Sequence, residues 1–152
     1  NGDSANTFTV GKASNEALKL IEVTKKSFFL GAQAAGKENA RIGDIGAAID
    51  AYVRENGFST VKKYVGHGIG TELHEDPNVP NYGSAGRGVR LKAGMTIAIE
   101  PMLCAGDCAI EQLSDGWTVV TKDRSLAGHY ENTILITDGD PEILTMSEGF
   151  DA

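Results

Sequence analysis

Met95-Thr96-Ile97-Ala98-Ile99-Glu100-Pro101 reads as an apolar β-strand that closes on a carboxylate where another aliphatic side chain would be expected. Burying a lone carboxylate is costly. Glu100 therefore emerges into solvent at the strand end, meets a cation such as Arg124, or serves a ligand. The pattern recurs at His129-Tyr130-Glu131-Asn132-Thr133-Ile134-Leu135-Ile136, where Glu131 directly precedes a strongly β-prone run. Two strands thus each place one glutamate at an apolar border, and strand pairing can bring such borders together.

Working outward, the hydrophobic period lies near two from Phe58 onward. Strands are predicted near Thr60 to Tyr64, Met95 to Glu100, Trp117 to Thr121, Thr133 to Thr137 and Glu142 to Leu144. Upstream the period is helical. Ile42, Ile45, Ala48, Ile49, Tyr52 and Val53 recur at three- and four-residue steps, and Gly57 supplies a left-handed stop. An earlier helix starts at Ser14 as N-cap, with Leu18, Ile21, Ser27, Phe28 and Leu30 near one face, and ends in the region of Gly31 to Gly36. Before it, Asn6 to Val10 suits a short strand around Phe8 and Val10 that ends at Gly11. Two helices followed by several strands make the fold class α+β. No repeat or composition break divides the chain, so residues 1–145 form one domain and Met146 to Ala152 a frayed acidic tail.

The composition narrows the function classes. Fourteen Lys and Arg against 21 Asp and Glu give a formal charge of -7, which repels phosphate backbones and anionic lipid surfaces. Nucleic acid and membrane partners are therefore not expected. No apolar run approaches the roughly 20 residues needed to cross a bilayer, and none reads as a signal peptide. Cys104 and Cys108 lack the second pair that a four-ligand zinc site needs, and both are read as reduced thiols of a cytoplasmic protein. The chain opens at Asn1 rather than an initiating methionine, which leads us to expect an upstream part.

A third signal lies between the helices and Glu100. Gly66-His67-Gly68-Ile69-Gly70, followed by His74-Glu75-Asp76-Pro77, sets two histidines on a glycine-rich stretch whose backbone a ligand can approach closely. Either histidine alone reads as a satisfied core or surface residue. Taken with Asp3 beside the first strand, however, His67, Glu100 and Glu131 make three carboxylates and one imidazole. That set suits hard or borderline divalent ions in a carboxylate-rich dinuclear site better than a lone structural zinc. Paired cations of this kind lower the pKa of a shared water, so that hydroxide exists near neutral pH.

These motifs, in this order, resemble the type I methionine aminopeptidases: GHGIG with HEDP, GMTIAIEP, DGWTVVTKDRSLAGHYENT and the closing EILT, spanning Gly2 to Thr145. The resemblance implies a partial pita-bread fold, with helices packed on a mainly antiparallel sheet. It implies a metalloprotease that removes the N-terminal methionine from nascent proteins by attack of a metal-bridging hydroxide on the first peptide bond. Asp3, His67, Glu100 and Glu131 would then be metal ligands, Asp3 and Glu131 bridging, for two divalent ions such as cobalt, manganese, iron or zinc. Glu100 would also assist proton transfer, and His74 would contact the scissile carbonyl and the developing oxyanion. Trp117 and Leu73 would line the substrate pocket. Peptide or nascent-protein N-termini and the ribosome are the implied partners.

The sequence departs from the family in two ways. An upstream half, carrying a fifth ligand, an upstream histidine and much of the pocket, has no counterpart here and would come from a companion chain or segment. Around Glu131, His129 and Asn132 stand where glutamine and histidine are expected. For His129 a substrate contact or a surface role is favoured over direct ligation. Other readings stay open: a Xaa-Pro aminopeptidase-like hydrolase of the same fold, a catalytically incomplete fragment, or a pita-bread binding module that has lost its chemistry.

Overall fold

The computed structural model describes residues 1–146, and the expected tail beyond Met146 lies outside the described residues. Helix α1 spans Asn15–Ala35 and begins where Ser14 Oγ accepts the Ala17 N–H at 3.1 Å. Its buried face runs through Leu20, Val23, Ser27, Phe28, Gly31 and Ala35 at three- and four-residue steps. Leu18, expected on that face, is 49% exposed, because two residues from Leu20 is a rotation of about 200° around the axis.

Helix α2, Ile42–Glu55, buries Ile42, Ile45, Ile49 and Val53 as expected. Arg41 N–H donates to Asp44 Oδ2 at 2.7 Å at its start, and Gly57 with φ +83° lies just past its end. Gly31 lets the two helices touch: a Cβ there would lie 2.9 Å from Ile49 Cδ1.

The strands are β1 Ser4–Ala5, β2 Ser59–Thr60, β3 Gly66–Gly68, β4 Glu75–Val79, β5 Thr96–Ile99, β6 Met102–Cys104, β7 Ile110–Gln112, β8 Val119–Thr121, β9 Ala127–His129, β10 Glu131–Leu135 and β11 Glu142–Ile143. Six form one sheet in the order β1-β10-β5-β3-β4, with β11 also paired to β10. Strands β2-β6-β9 form a second sheet, and β7-β8 a hairpin. Every pairing between these strands is antiparallel.

The α+β class is as expected, and the strands predicted at Met95 to Glu100, Trp117 to Thr121 and Glu142 to Leu144 are found with shorter bounds. The one predicted at Thr133 to Thr137 lies two residues earlier as β10, and the one at Thr60 to Tyr64 meets β2 only at Thr60. The strand expected at Asn6 to Val10 instead pairs at Ser4–Ala5, leaving Phe8 60% and Val10 97% exposed. The two cysteines are also not the free thiols expected. Cys104 and Cys108 form a disulfide, because the turn after β6 returns the chain to a Cα separation of 5.6 Å, within disulfide reach.

The core lies between the helices and one face of the large sheet. Phe28, Ile45, Ile49 and Val53 meet Ile97, Ile99, Leu103, Tyr130 and Ile134, all essentially inaccessible to solvent. Because side chains alternate along a strand, burying Ile97 and Ile99 against the helices turns Ala98 and Glu100 to the opposite face.

Candidate metal centre

Register carries the remaining groups to that opposite face. His67 on β3 pairs directly with Ala98 on β5, so its side chain shares a face with Ala98 and Glu100. Asn132 on β10 pairs with Ile99, which sets Glu131 beside Glu100 at the strand end. Ala5 on β1 pairs with Glu131. Asp3 is fixed to the same strand by its backbone: its N–H donates to Thr133 Oγ1 at 2.9 Å, and its carbonyl accepts from the Thr133 N–H at 3.1 Å. The four residues expected as ligands, far apart in sequence, are thereby brought together.

His67 is buried, and its Nδ1 lies 2.8 Å from the Gly68 carbonyl. A carbonyl can only accept, so Nδ1 carries the hydrogen and Nε2 is the nitrogen presented to the carboxylates. Nε2 is 3.5 Å from Glu100 Oε1 and 3.9 Å from Asp3 Oδ2. The His74 ring stands 4.3 Å from the His67 ring, centre to centre. Two overlapping groups result, Asp3-His67-His74 and His67-Glu100-Glu131, each with donor atoms within 4.8 Å of one another.

The glycines flanking His67 have a different use from the expected ligand approach. A Cβ on Gly66 would lie 2.3 Å from the Ala98 carbonyl oxygen, and one on Gly68 2.2 Å from that of Asp76. They let β5 and β4 close in on β3, which holds His67 in place.

The electrostatics call for a cation. Burial, together with the neighbouring Glu100 and Asp3 carboxylates, pushes the Glu131 carboxyl up to about 8. Arg124, considered above as a partner for Glu100, instead binds Glu111 at 2.6 Å. Among the described residues the ion-pair partners of Asp3, Glu100 and Glu131 are imidazoles. Glu131 Oε1 is shielded from solvent with no hydrogen-bond partner. Three converging carboxylates, imidazole nitrogen and an orphaned buried oxygen fit a divalent cation.

Two residues belong to this site that sequence reasoning undervalued. His129 is partly exposed, yet it turns its Nε2 inward, 3.5 Å from Glu100 Oε2 and 3.6 Å from Glu131 Oε2. The signal was the two-residue step to Glu131, which puts both side chains on one face of an extended chain. Asn81, fully buried, donates from Nδ2 to the Glu100 carbonyl at 2.9 Å, and nothing in its local sequence distinguishes it from a solvated turn residue.

Leu73 and Trp117 are placed differently. Leu73 is 42% exposed beside His74, and Trp117 is 88% exposed on the turn between β7 and β8. The apolar cleft beside His129, about 310 Å³, is lined by others, among them Thr7, Tyr64, Met102 and Val119.

Known proteins share this sequence and this fold. Residues 1–138 match metallopeptidase family M24. The methionine aminopeptidase of Clostridium acetobutylicum is 55% identical over 147 residues, 97% of this chain and 58% of that protein. A crystal structure of methionine aminopeptidase from Thermotoga maritima superposes with a TM-score of 0.92 at 46% identity, covering 96% of this chain and 58% of that one. The prolidase of Pyrococcus furiosus superposes with a TM-score of 0.73 at 23% identity, a likeness of fold alone. The chain thus spans a little over half the length of the methionine aminopeptidases it matches.

Proposed function

Because the chain belongs to metallopeptidase family M24, we propose that it forms the metal-binding part of an aminopeptidase that removes N-terminal methionine from peptides and nascent proteins. The observation that carries this reading is the convergence of Asp3, His67, Glu100 and Glu131 on one sheet face, where among the described residues the carboxylates have imidazoles as their ion-pair partners. Those four residues would hold two divalent cations, manganese or cobalt being well suited to so carboxylate-rich a site. Asp3 and Glu131 would bridge. Bound cations would polarise the peptide carbonyl and make water nucleophilic near neutral pH.

The chain's own groups do the rest. Glu100, at a strand end and partly accessible, takes a proton from the attacking water and delivers it to the leaving amine. His74, exposed beside the His67 ring, donates to the carbonyl oxygen as negative charge grows on it. The His67 Nδ1–H bond to Gly68 keeps Nε2 aimed at the centre. Four of the five ligands implied by the family likeness lie in this chain. A segment corresponding to the rest of the relatives' length would supply the fifth, together with walls for the pocket near Leu73 and Trp117. A cytoplasmic setting beside the ribosome suits an enzyme acting on emerging N-termini.

The test is hydrolysis of a Met-Ala-Ser peptide by the full chain, with that segment supplied, in the presence of manganese or cobalt. Release of free methionine that stops on chelation supports the reading. Metal uptake without any release would favour the binding-module alternative.

A further inference from the structure

His129 holds a position that the ligand set above does not use. Its backbone is clamped on both sides: it pairs with Met102 of β6, its N–H donates to Thr7 Oγ1 at 3.0 Å, and its carbonyl accepts from the same hydroxyl at 2.8 Å. The side chain therefore has a defined origin, two residues before Glu131 and on the same face. Its Nε2 is shut off from solvent and has no hydrogen-bond partner.

The distances decide what that nitrogen is for. At 3.5 Å from Glu100 Oε2 and 3.6 Å from Glu131 Oε2, it is too far for hydrogen bonds, which run to about 3.2 Å. Donor atoms sharing one tetrahedral cation through bonds of about 2.1 Å stand about 3.4 Å apart. His67 Nε2 lies at this same 3.5 Å spacing from the other oxygen of Glu100. Glu100 is thus flanked by two imidazoles, one on each carboxylate oxygen. A buried nitrogen without a hydrogen bond is costly, and a cation shared with the two carboxylates removes that cost.

We propose that His129 Nε2 is a further nitrogen ligand, binding a divalent cation together with Glu100 and Glu131. This inference rests on the metal-centre reading.

Titrating the full chain and its His129→Gln variant with cobalt(II), followed by calorimetry and visible absorption, tests it. At least a tenfold loss of affinity in one binding step, with an altered cobalt spectrum and unchanged far-ultraviolet circular dichroism, is expected. Superimposable isotherms and spectra would overturn the inference while leaving the metal centre intact, and an accompanying rise in KM alone would make His129 a substrate contact. No cobalt uptake by either protein would overturn the metal centre itself. Proton NMR of the unmodified cobalt form reads the same point independently of the variant's folding: hyperfine-shifted ring signals assigned to His129 as well as to His67 are expected, and signals from His67 without His129 would contradict the assignment.

Discussion

Glu131, with 5% of its surface accessible, is a carboxylate where the sheet interior disfavours charge. Its titration point, raised to about 8 by burial and by Glu100 and Asp3, means that the folded metal-free protein binds a proton more tightly there than the unfolded chain does. The stability linked to this proton is full below about pH 4.5, the ordinary range of a glutamate, and is lost as pH rises through 8. The melting temperature of the metal-free protein should therefore fall from pH 5 to pH 8, and Glu131→Gln should flatten that slope. An unchanged slope would mean that Glu131 is not the group responsible. The division of roles gives a second prediction. Glu100→Ala or His67→Ala should abolish turnover and weaken metal uptake at least a hundredfold, whereas His74→Ala should slow turnover about a hundredfold with metal affinity nearly unchanged. Equal metal loss in all three variants would contradict it. His67, Glu100 and Glu131 were legible because each breaks a local pattern, an imidazole among glycines or a carboxylate closing an apolar strand. His129 was harder to read, since its meaning depends on where Glu100 lies across the sheet.

Strand β3 shows why glycine flanks His67. Gly68→Ala would press a methyl group into the Asp76 carbonyl, a backbone atom that cannot rotate away, and should cost roughly 3 kcal/mol or more in thermal or urea unfolding. Gly57→Ala meets open space at φ +83° and should cost about 1 kcal/mol from backbone strain alone. Equal costs would show that β4 does not press on β3 in this way. Helix α2 was legible throughout, because 14 residues hold nearly four turns of apolar repeat and a glycine stop. Helix α1 was found but misphased, since its buried face is made partly of Ser27, Gly31 and Ala35, whose small side chains carry little apolar signal. Strands of two or three residues, such as β1, β3, β6 and β9, are too short to display a period of two, and their pairing partners lie far along the chain.

Taken together, the helices cover one face of the large sheet and the candidate ligands occupy the other, so core and chemistry are separated by strand alternation. This arrangement was visible in outline from the α+β order of elements. The convergence of Asp3 with Glu131 was not visible in periodicity, because it depends on a two-residue strand against β10. The disulfide was missed because two thiols four residues apart carry no signal of their own without the turn that joins them. Substrate choice is decided at this level as well. The 55% identity to the methionine aminopeptidase of Clostridium acetobutylicum leads us to expect that, with the remaining segment supplied, Met-Ala peptides are cleaved at least tenfold faster than Xaa-Pro peptides in direct competition. The reverse preference would place the chain with the proline-directed enzymes. Most direct of all is anomalous X-ray diffraction from crystals soaked in manganese, recorded at the manganese absorption edge. Peaks within bonding distance of Asp3, His67, Glu100 and Glu131 are predicted, and diffraction with peaks elsewhere or none at millimolar manganese would contradict the shared centre.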